Sequence, residues 1–200
     1  TAKYNTVLER LLEKGRLLTR SRLKAGEELS RKIMRELEFL DMPGTEFKVN
    51  ITQGPVTSMG RDIVEFYISP NKGQSLKPLV KIASGGELSR IMLAVKTALN
   101  EVEPGGQTLI FDEIDTGVSG RAAEKIGSKL RELSKNNQVI CVTHLAQIAC
   151  FADNHLFIEK TTVGDKTLTK IRQLDFEDRK REIARIMGGT LITSNTLRSA

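Results

Sequence analysis

Along residues 1–40, Tyr4, Leu11, Leu18 and Ala25 recur at every seventh position and Leu8 and Leu29 hold a companion seam, in a proline-free stretch rich in Leu, Glu, Lys and Arg. A seven-residue apolar repeat on two seams is the trace of a coiled coil. Gly15 and Arg22 fall on the remaining seam positions. The pattern therefore predicts one long helix, read either as the returning end of a coiled-coil arm or as an amphipathic helix packed on the body of the chain. Met42, Pro43 and Gly44 stop it.

Beyond that stop the period changes from heptad to alternation. Phe47, Val49 and Ile51, then Val64, Phe66 and Ile68 after Gly60, alternate with polar residues and predict two antiparallel strands. A turn-rich stretch, Ser69 to Pro78, leads to Ser84, after which Leu88, Met92, Val95 and Leu99 line one face of a helix that ends near Pro104, Gly105 and Gly106. Thr108 to Phe111 is a short buried-strand pattern, Ala122 to Leu133 is helical, and Val139 to Val142 repeats the strand pattern about 30 residues on. Strand, helix and strand at that spacing form a βαβ unit and hence a parallel sheet. Leu145 to Phe151 reads as a helix, and His155 to Glu159 with Leu168 to Leu174 reads as a hairpin around a Gly164-Asp165 turn. Glu177 to Met187 makes a last helix closed by Gly188 and Gly189. The fold class is α/β, with residues 1–40 as a lead-in helix and 41–200 as one lobe built around a mostly parallel sheet flanked by helices.

Composition narrows the possibilities. At 39% hydrophobic and 28% charged residues, with no apolar run near the roughly 20 residues that span a bilayer, the sequence carries no membrane segment pattern. It opens without Met, so residue 1 is read as an excised boundary rather than a native start. Two cysteines, Cys141 and Cys150, and two histidines indicate neither a disulfide framework nor a zinc site, which fits a reducing cytoplasm. The net charge of +6 permits contact with nucleic acid, and the absence of Trp beside two Tyr directs any such contact to phosphates rather than stacked bases.

Candidate chemistry gathers at the ends of the two parallel strands. Asp112 and Glu113 follow directly on Leu109-Ile110-Phe111, at the carboxyl edge where open α/β sheets bind ligands. One acid there can hold Mg²⁺, directly or through water, while its neighbour orients and deprotonates a water attacking a γ-phosphate. His144 ends the second strand after Thr143 and so belongs to the same edge, where an imidazole can hydrogen-bond a phosphate. Ser84-Gly85-Gly86-Glu87 opens a periodic helix, and its spacing also satisfies a capping box. A cap needs no tandem glycines, which each cost a helix nearly 1 kcal/mol. Glycines at a helix N-terminus do let a polyphosphate approach the backbone amides.

SGGELSR at 84–90, LIFDEID at 109–115, TGVSG at 116–120 and VTHLAQIA at 142–149 occur in the order of the ABC ATPases, and together they resemble that family. The resemblance covers most of residues 45–190. It implies an ABC-type P-loop NTPase head, C-terminal lobe. By it, Ser84, Gly85, Gly86 and Glu87 form the signature motif, Asp112 is the Walker B acid, Glu113 the catalytic base, Asp115 part of the D-loop and His144 the switch. Glu87, where transporters usually have Gln, and the long lead-in helix resemble the SMC-like branch. The fuller strings SPNKGQSLKPLVKIASGGELSRIMLAVKTAL, FDEIDTGVSGRAAEKIG and REIARIMGG resemble one bacterial DNA repair group within it. The implied cofactors are ATP and Mg²⁺, and the implied partners are the N-terminal half of the same head, a second head and DNA.

The sequence departs from the family pattern in two ways that matter: no G-x-x-x-x-G-K-[ST] loop occurs in it, and an SMC-like arm is expected to be far longer than 40 residues, so residues 1–40 are read as only its last stretch. A segment without the phosphate cradle is expected to bind ATP poorly alone. Two other readings compete: the head of a nuclease-associated SMC-like ATPase, which shares every catalytic motif, and a non-enzymatic module in which residues 1–40 are a partner helix.

Overall fold

The structure, a computed structural model, describes residues 2–82, 84–100, 105–118, 120–163, 166–189 and 197. The chain forms two compact units, Thr1–Ser84 with Ala94–Val102, and Gly85–Leu93 with Glu103–Ala200.

The first unit is built on helix α1 (Ala2–Phe39) and the antiparallel pair β1 (Glu46–Thr57) and β2 (Gly60–Ser69). The expected strands pair as their alternation requires, with Phe47 opposite Ile68, Val49 opposite Phe66 and Ile51 opposite Val64. Phe47 and Ile68 are buried, and the Phe47 and Phe66 rings meet at 5.5 Å between centroids. Within the stretch read as turns, β3 (Lys77–Pro78) adds a short third strand against β2, followed by a 3-10 turn at Leu79–Lys81. Pro78 is tolerated there because an edge strand leaves its missing N–H on the open side.

Helix α1 packs on the hairpin through a face that takes in only part of the heptad seam. Gly26, Ile33 and Leu37 are buried, and a Cβ on Gly26 would lie 3.2 Å from Val49. Arg22 donates to Asp62 at 3.0 Å and to the Met59 carbonyl at 2.7 Å, while the Thr19 hydroxyl donates to Asp62 at 2.6 Å. Those bonds, the Thr19 hydroxyl first, hold the Asp62 carboxyl below its usual range. Gly15 lies against the Arg61 side chain. The residues that break the apolar seam are therefore among those in contact with the hairpin, Leu18 of the seam also lies against Gly60, and Tyr4, Leu8 and Leu11 are exposed. After α1, Asp41 takes a left-handed φ of 58° and the Met42 amide bonds back to Leu37, ending the helix ahead of Pro43.

Helix α2 (Gly85–Leu99) buries more than the expected face, of which Leu88 and Leu99 are half-buried. Ile91, Leu93, Ala94, Val95 and Ala98 are buried, whereas Met92 is exposed. The helix ends at Leu99, and Pro104 lies outside the described residues.

In the second unit, β4 (Thr108–Phe111) and β5 (Gln138–Cys141) pair in parallel, joined through α3 (Gly120–Ser134). This is the expected βαβ unit. Among the described residues, parallel pairing is confined to these two strands. Helix α3 buries Ala122, Ala123, Ile126, Gly127, Leu130 and Leu133, one stripe at helical spacing. Short α4 (Ala146–Ala149) follows β5, narrower than the helix expected from Leu145 to Phe151. The hairpin β6 (Leu156–Val163) and β7 (Lys166–Gln173) is antiparallel, and its Gly164-Asp165 turn lies outside the described residues. Helix α5 (Phe176–Gly188) starts on Asp175, whose side chain accepts the Asp178 amide, and ends at Gly189 with φ 69°. No helix among the described residues is long and apolar enough to cross a membrane.

Candidate functional site

Parallel pairing of β4 with β5 in the register Phe111 opposite Cys141 brings the two strand ends side by side. The ladder runs one bond further, from the Val142 amide to the Phe111 carbonyl at 2.9 Å. Asp112 and Glu113 therefore leave one strand where Val142, Thr143 and His144 leave its neighbour. All three candidate groups, Asp112, Glu113 and His144, are exposed or partly exposed at this edge.

Glu113 occupies a strained place. Its φ of 56° lies in the left-handed region, which a side chain with a Cβ enters at a cost of about 1–2 kcal/mol. Its amide donates to Asp112 Oδ1 at 2.9 Å, and its carbonyl accepts the Thr116 amide at 3.1 Å. A tight turn is thus built on the two acids, and it turns the Glu113 side chain toward the start of α2. A Cβ placed on Gly85 would come within 2.5 Å of Glu113 Oε2.

The tandem glycines have a use inside the chain itself. A Cβ on Gly86 would meet Thr116 Cβ at 2.9 Å and the Glu113 carbonyl at 3.1 Å. The first turns of α2 are also stitched to this segment by polar bonds. Ser89 Oγ donates to the Asp112 carbonyl at 2.7 Å, and Arg90 Nη1 donates to the Thr116 carbonyl at 2.9 Å. Ser89 and Arg90 were not singled out from the sequence, where only their place in SGGELSR hinted at a role. Ser84 directly precedes the helix and is exposed, and Glu87 lies in its first turn.

Asp115, expected in the D-loop, is 4% exposed and turns toward the end of β5. Its Oδ2 accepts the Thr143 hydroxyl at 2.6 Å and the His144 amide at 2.9 Å, and His144 Nδ1 lies 3.0 Å from the same oxygen. Thr143 Oγ1 in turn accepts the Leu145 amide at 3.1 Å. The His144 side chain is nevertheless 74% exposed. Thr143 is a further site residue that the sequence placed beside His144 without giving it a role.

Burial pushes the Cys141 thiol up to about 12, with the Asp115 and Asp112 carboxylates adding to the rise. A thiol held protonated in this way is not a nucleophile at neutral pH. His155 keeps to a structural position ahead of β6, where burial and the Arg179 charge lower its pKa.

Mg²⁺ suits this edge. Among the described residues, no three His, Cys, Asp or Glu side chains gather into a cage. Mg²⁺ is commonly held by one or two carboxylates together with substrate phosphates, and Asp112 offers an exposed carboxylate with one oxygen already oriented by the Glu113 amide.

Comparison with known proteins places these features in context. No family model matches the sequence. Over 90% of its length the chain is 45% identical to the DNA repair protein RecN of Halalkalibacterium halodurans, covering 32% of that protein. It is 42% identical to RecN of Vibrio cholerae over 92% of its length, covering 33%, and 42% identical to RecN of Bacillus subtilis over 87%, again covering 33%. The chain thus spans about a third of the length of these relatives. Among solved structures, the Smc head domain with a coiled coil and joint from Pyrococcus yayanosii aligns with a TM-score of 0.62 at 18% identity, covering 93% of this chain and 34% of that one. A structure described under the ATP-driven dimerization of SMC ATPases aligns at 0.51 and 20% identity, covering 86% and 99%.

Proposed function

Starting from a chain that is RecN-like over about nine-tenths of its length and has the α/β fold of an SMC-type ATPase head, we propose that it supplies the ATP-closing and hydrolysing part of such a head. The protein it serves is a RecN-like ATPase of DNA double-strand-break repair and recombination. One observation carries the reading: two exposed acids at the end of β4 stand beside an exposed imidazole at the end of the paired β5. Acids and base at one sheet edge are what hydrolysis of a phosphoanhydride needs.

In this reading Asp112 holds Mg²⁺, which when bound neutralises charge on the β and γ oxygens of ATP. Glu113 orients the attacking water and accepts its proton, and the turn that strains its backbone fixes where the carboxylate stands. His144 contacts the reacting end of the nucleotide. Ser84, Gly85, Gly86 and Glu87 close on ATP held by a second head, through amides at the start of α2.

The P-loop that cradles the phosphates is absent from this sequence, so ATP binding belongs to the head completed by its N-terminal half. Ile110 is 68% and Val142 51% exposed on the β4–β5 pair, an apolar face suited to that half. ATP would then glue two heads together, and hydrolysis would part them and reset a DNA-tethering cycle. Bacterial DNA maintenance places the protein in the cytoplasm, at the nucleoid.

The test uses reconstituted complete heads. Glu113→Gln should lower ATP turnover by roughly 10² to 10⁴ while prolonging the ATP-bound dimer, and Ser84→Arg should block dimerisation while sparing nucleotide binding. Unchanged turnover in Glu113→Gln rules the assignment out. A nuclease-associated SMC-like head would share this chemistry, but the 38–45% identities to RecN proteins favour the RecN-like reading. The acid pair and the strained Glu113 speak against a purely structural module.

A further inference from the structure

Asp115 plays no part in the roles assigned above, yet it is the most buried acid at the site, and one of its oxygens gathers the whole turn after β5. An ionised carboxylate can only accept hydrogen bonds. Nδ1 of His144 lies 3.0 Å from Oδ2, and a ring nitrogen that close to an ionised carboxylate is favoured when it carries a proton and disfavoured when it presents a lone pair. The Thr143 hydroxyl and the His144 amide, at 2.6 and 2.9 Å from the same oxygen, leave Asp115 no freedom to turn away. One edge of the ring thus lies against Asp115 while the side chain as a whole is 74% exposed.

We propose that Asp115 is a positioning residue for His144, fixing the imidazole as its Nδ1–H tautomer and presenting Nε2 outward to the nucleotide. The consequence is chemical. In the neutral ring Nε2 then bears a lone pair and meets a donor, such as the attacking water or a hydroxyl. A bare phosphate oxygen is an acceptor and would be met only by the doubly protonated ring, whose charge Asp115 balances. Of the neutral and charged forms of the imidazole, only the charged one then bonds a phosphate oxygen through Nε2. Free histidine favours the other tautomer, so the preference must be imposed by the fold.

The proposal rests on the ATPase reading for its function but not for its spectroscopic signature. The chain has two histidines, so ¹⁵N spectra of its imidazoles contain two sets of signals, assigned with a His155→Gln variant. His144 is expected in the Nδ1–H form. Asp115→Ala should release it to the Nε2–H form and, in reconstituted heads, lower turnover roughly 10- to 100-fold, as loss of an outer orienting partner does. Asp115→Asn keeps an oxygen acceptor and should restore the Nδ1–H form and part of the turnover. An Nε2–H or averaging His144 in the unaltered chain overturns the proposal, whether or not Asp115→Ala folds. So does a normal turnover in Asp115→Ala when Glu113→Gln is inactive. If neither variant lowers turnover, the ATPase reading fails, and the tautomer alone reports what Asp115 does.

Discussion

Glu113 combines an exposed carboxylate with a backbone angle that glycine would adopt freely. Stability and chemistry therefore make opposite demands on this residue. Replacing Glu113 with Gly should relieve the left-handed strain, and thermal unfolding of the chain is expected to show a gain of up to about 1 kcal/mol once the extra backbone entropy of glycine is set against it. The same variant should lose turnover in the complete head as fully as Glu113→Gln does. A marked loss of stability would mean that the carboxylate over Gly85 contributes more than the strain costs. The acids themselves were legible from an apolar strand ending in Asp-Glu. The left-handed turn was not, because nothing in Asp-Glu-Ile-Asp asks for positive φ; it is held by the Glu113 amide on Asp112 Oδ1 and the Thr116 amide on the Glu113 carbonyl, with Gly85 and Gly86 close by.

At the scale of elements, local alternation was read well and helix faces were read poorly. β1 and β2 pair in the register their alternating residues require. In α2, by contrast, apolar residues run consecutively from Ile91 to Val95, so no single stripe stands out, and burial takes in Val95 of the expected face but leaves Met92 exposed. In α1 the heptad seam is real as a pattern, but Gly15, Arg22 and Gly26 make the contacts with the hairpin, through partners some 40 residues away such as Asp62 that spacing cannot announce. This division makes a prediction for chemical denaturation of the chain. Ile33→Ala, at a fully buried position, should cost about 2–5 kcal/mol. Leu11→Gln, on the exposed seam, should stay within about 0.5 kcal/mol. Equal effects would mean that the seam is already packed in the isolated chain.

For the whole molecule, the charge of +6 sets the expected character of DNA binding. Contacts to phosphates release counterions, so the affinity of complete heads for duplex should fall steeply as salt rises, by orders of magnitude over a few-fold increase if several phosphates are engaged. Fluorescence anisotropy across a salt series measures this directly, and salt-insensitive binding would exclude a charge-driven contact. The sequence supplied the sign of that charge and the motif order. Which surface carries the contact depends on a head of which this chain, at about a third of its relatives' length, is one part.

The open face of the β4–β5 pair, where Ile110 and Val142 stand in water, governs how the isolated chain, rather than a completed head, answers to salt. Like charge keeps separate copies of the chain apart, and apolar patches draw them together; added ions screen the first and leave the second in force. The isolated chain is thus a colloid whose tendency to cluster should grow as salt rises. Light scattering of the isolated chain across a salt series checks this, and scattering that stays flat would mean that the exposed face draws no copies together.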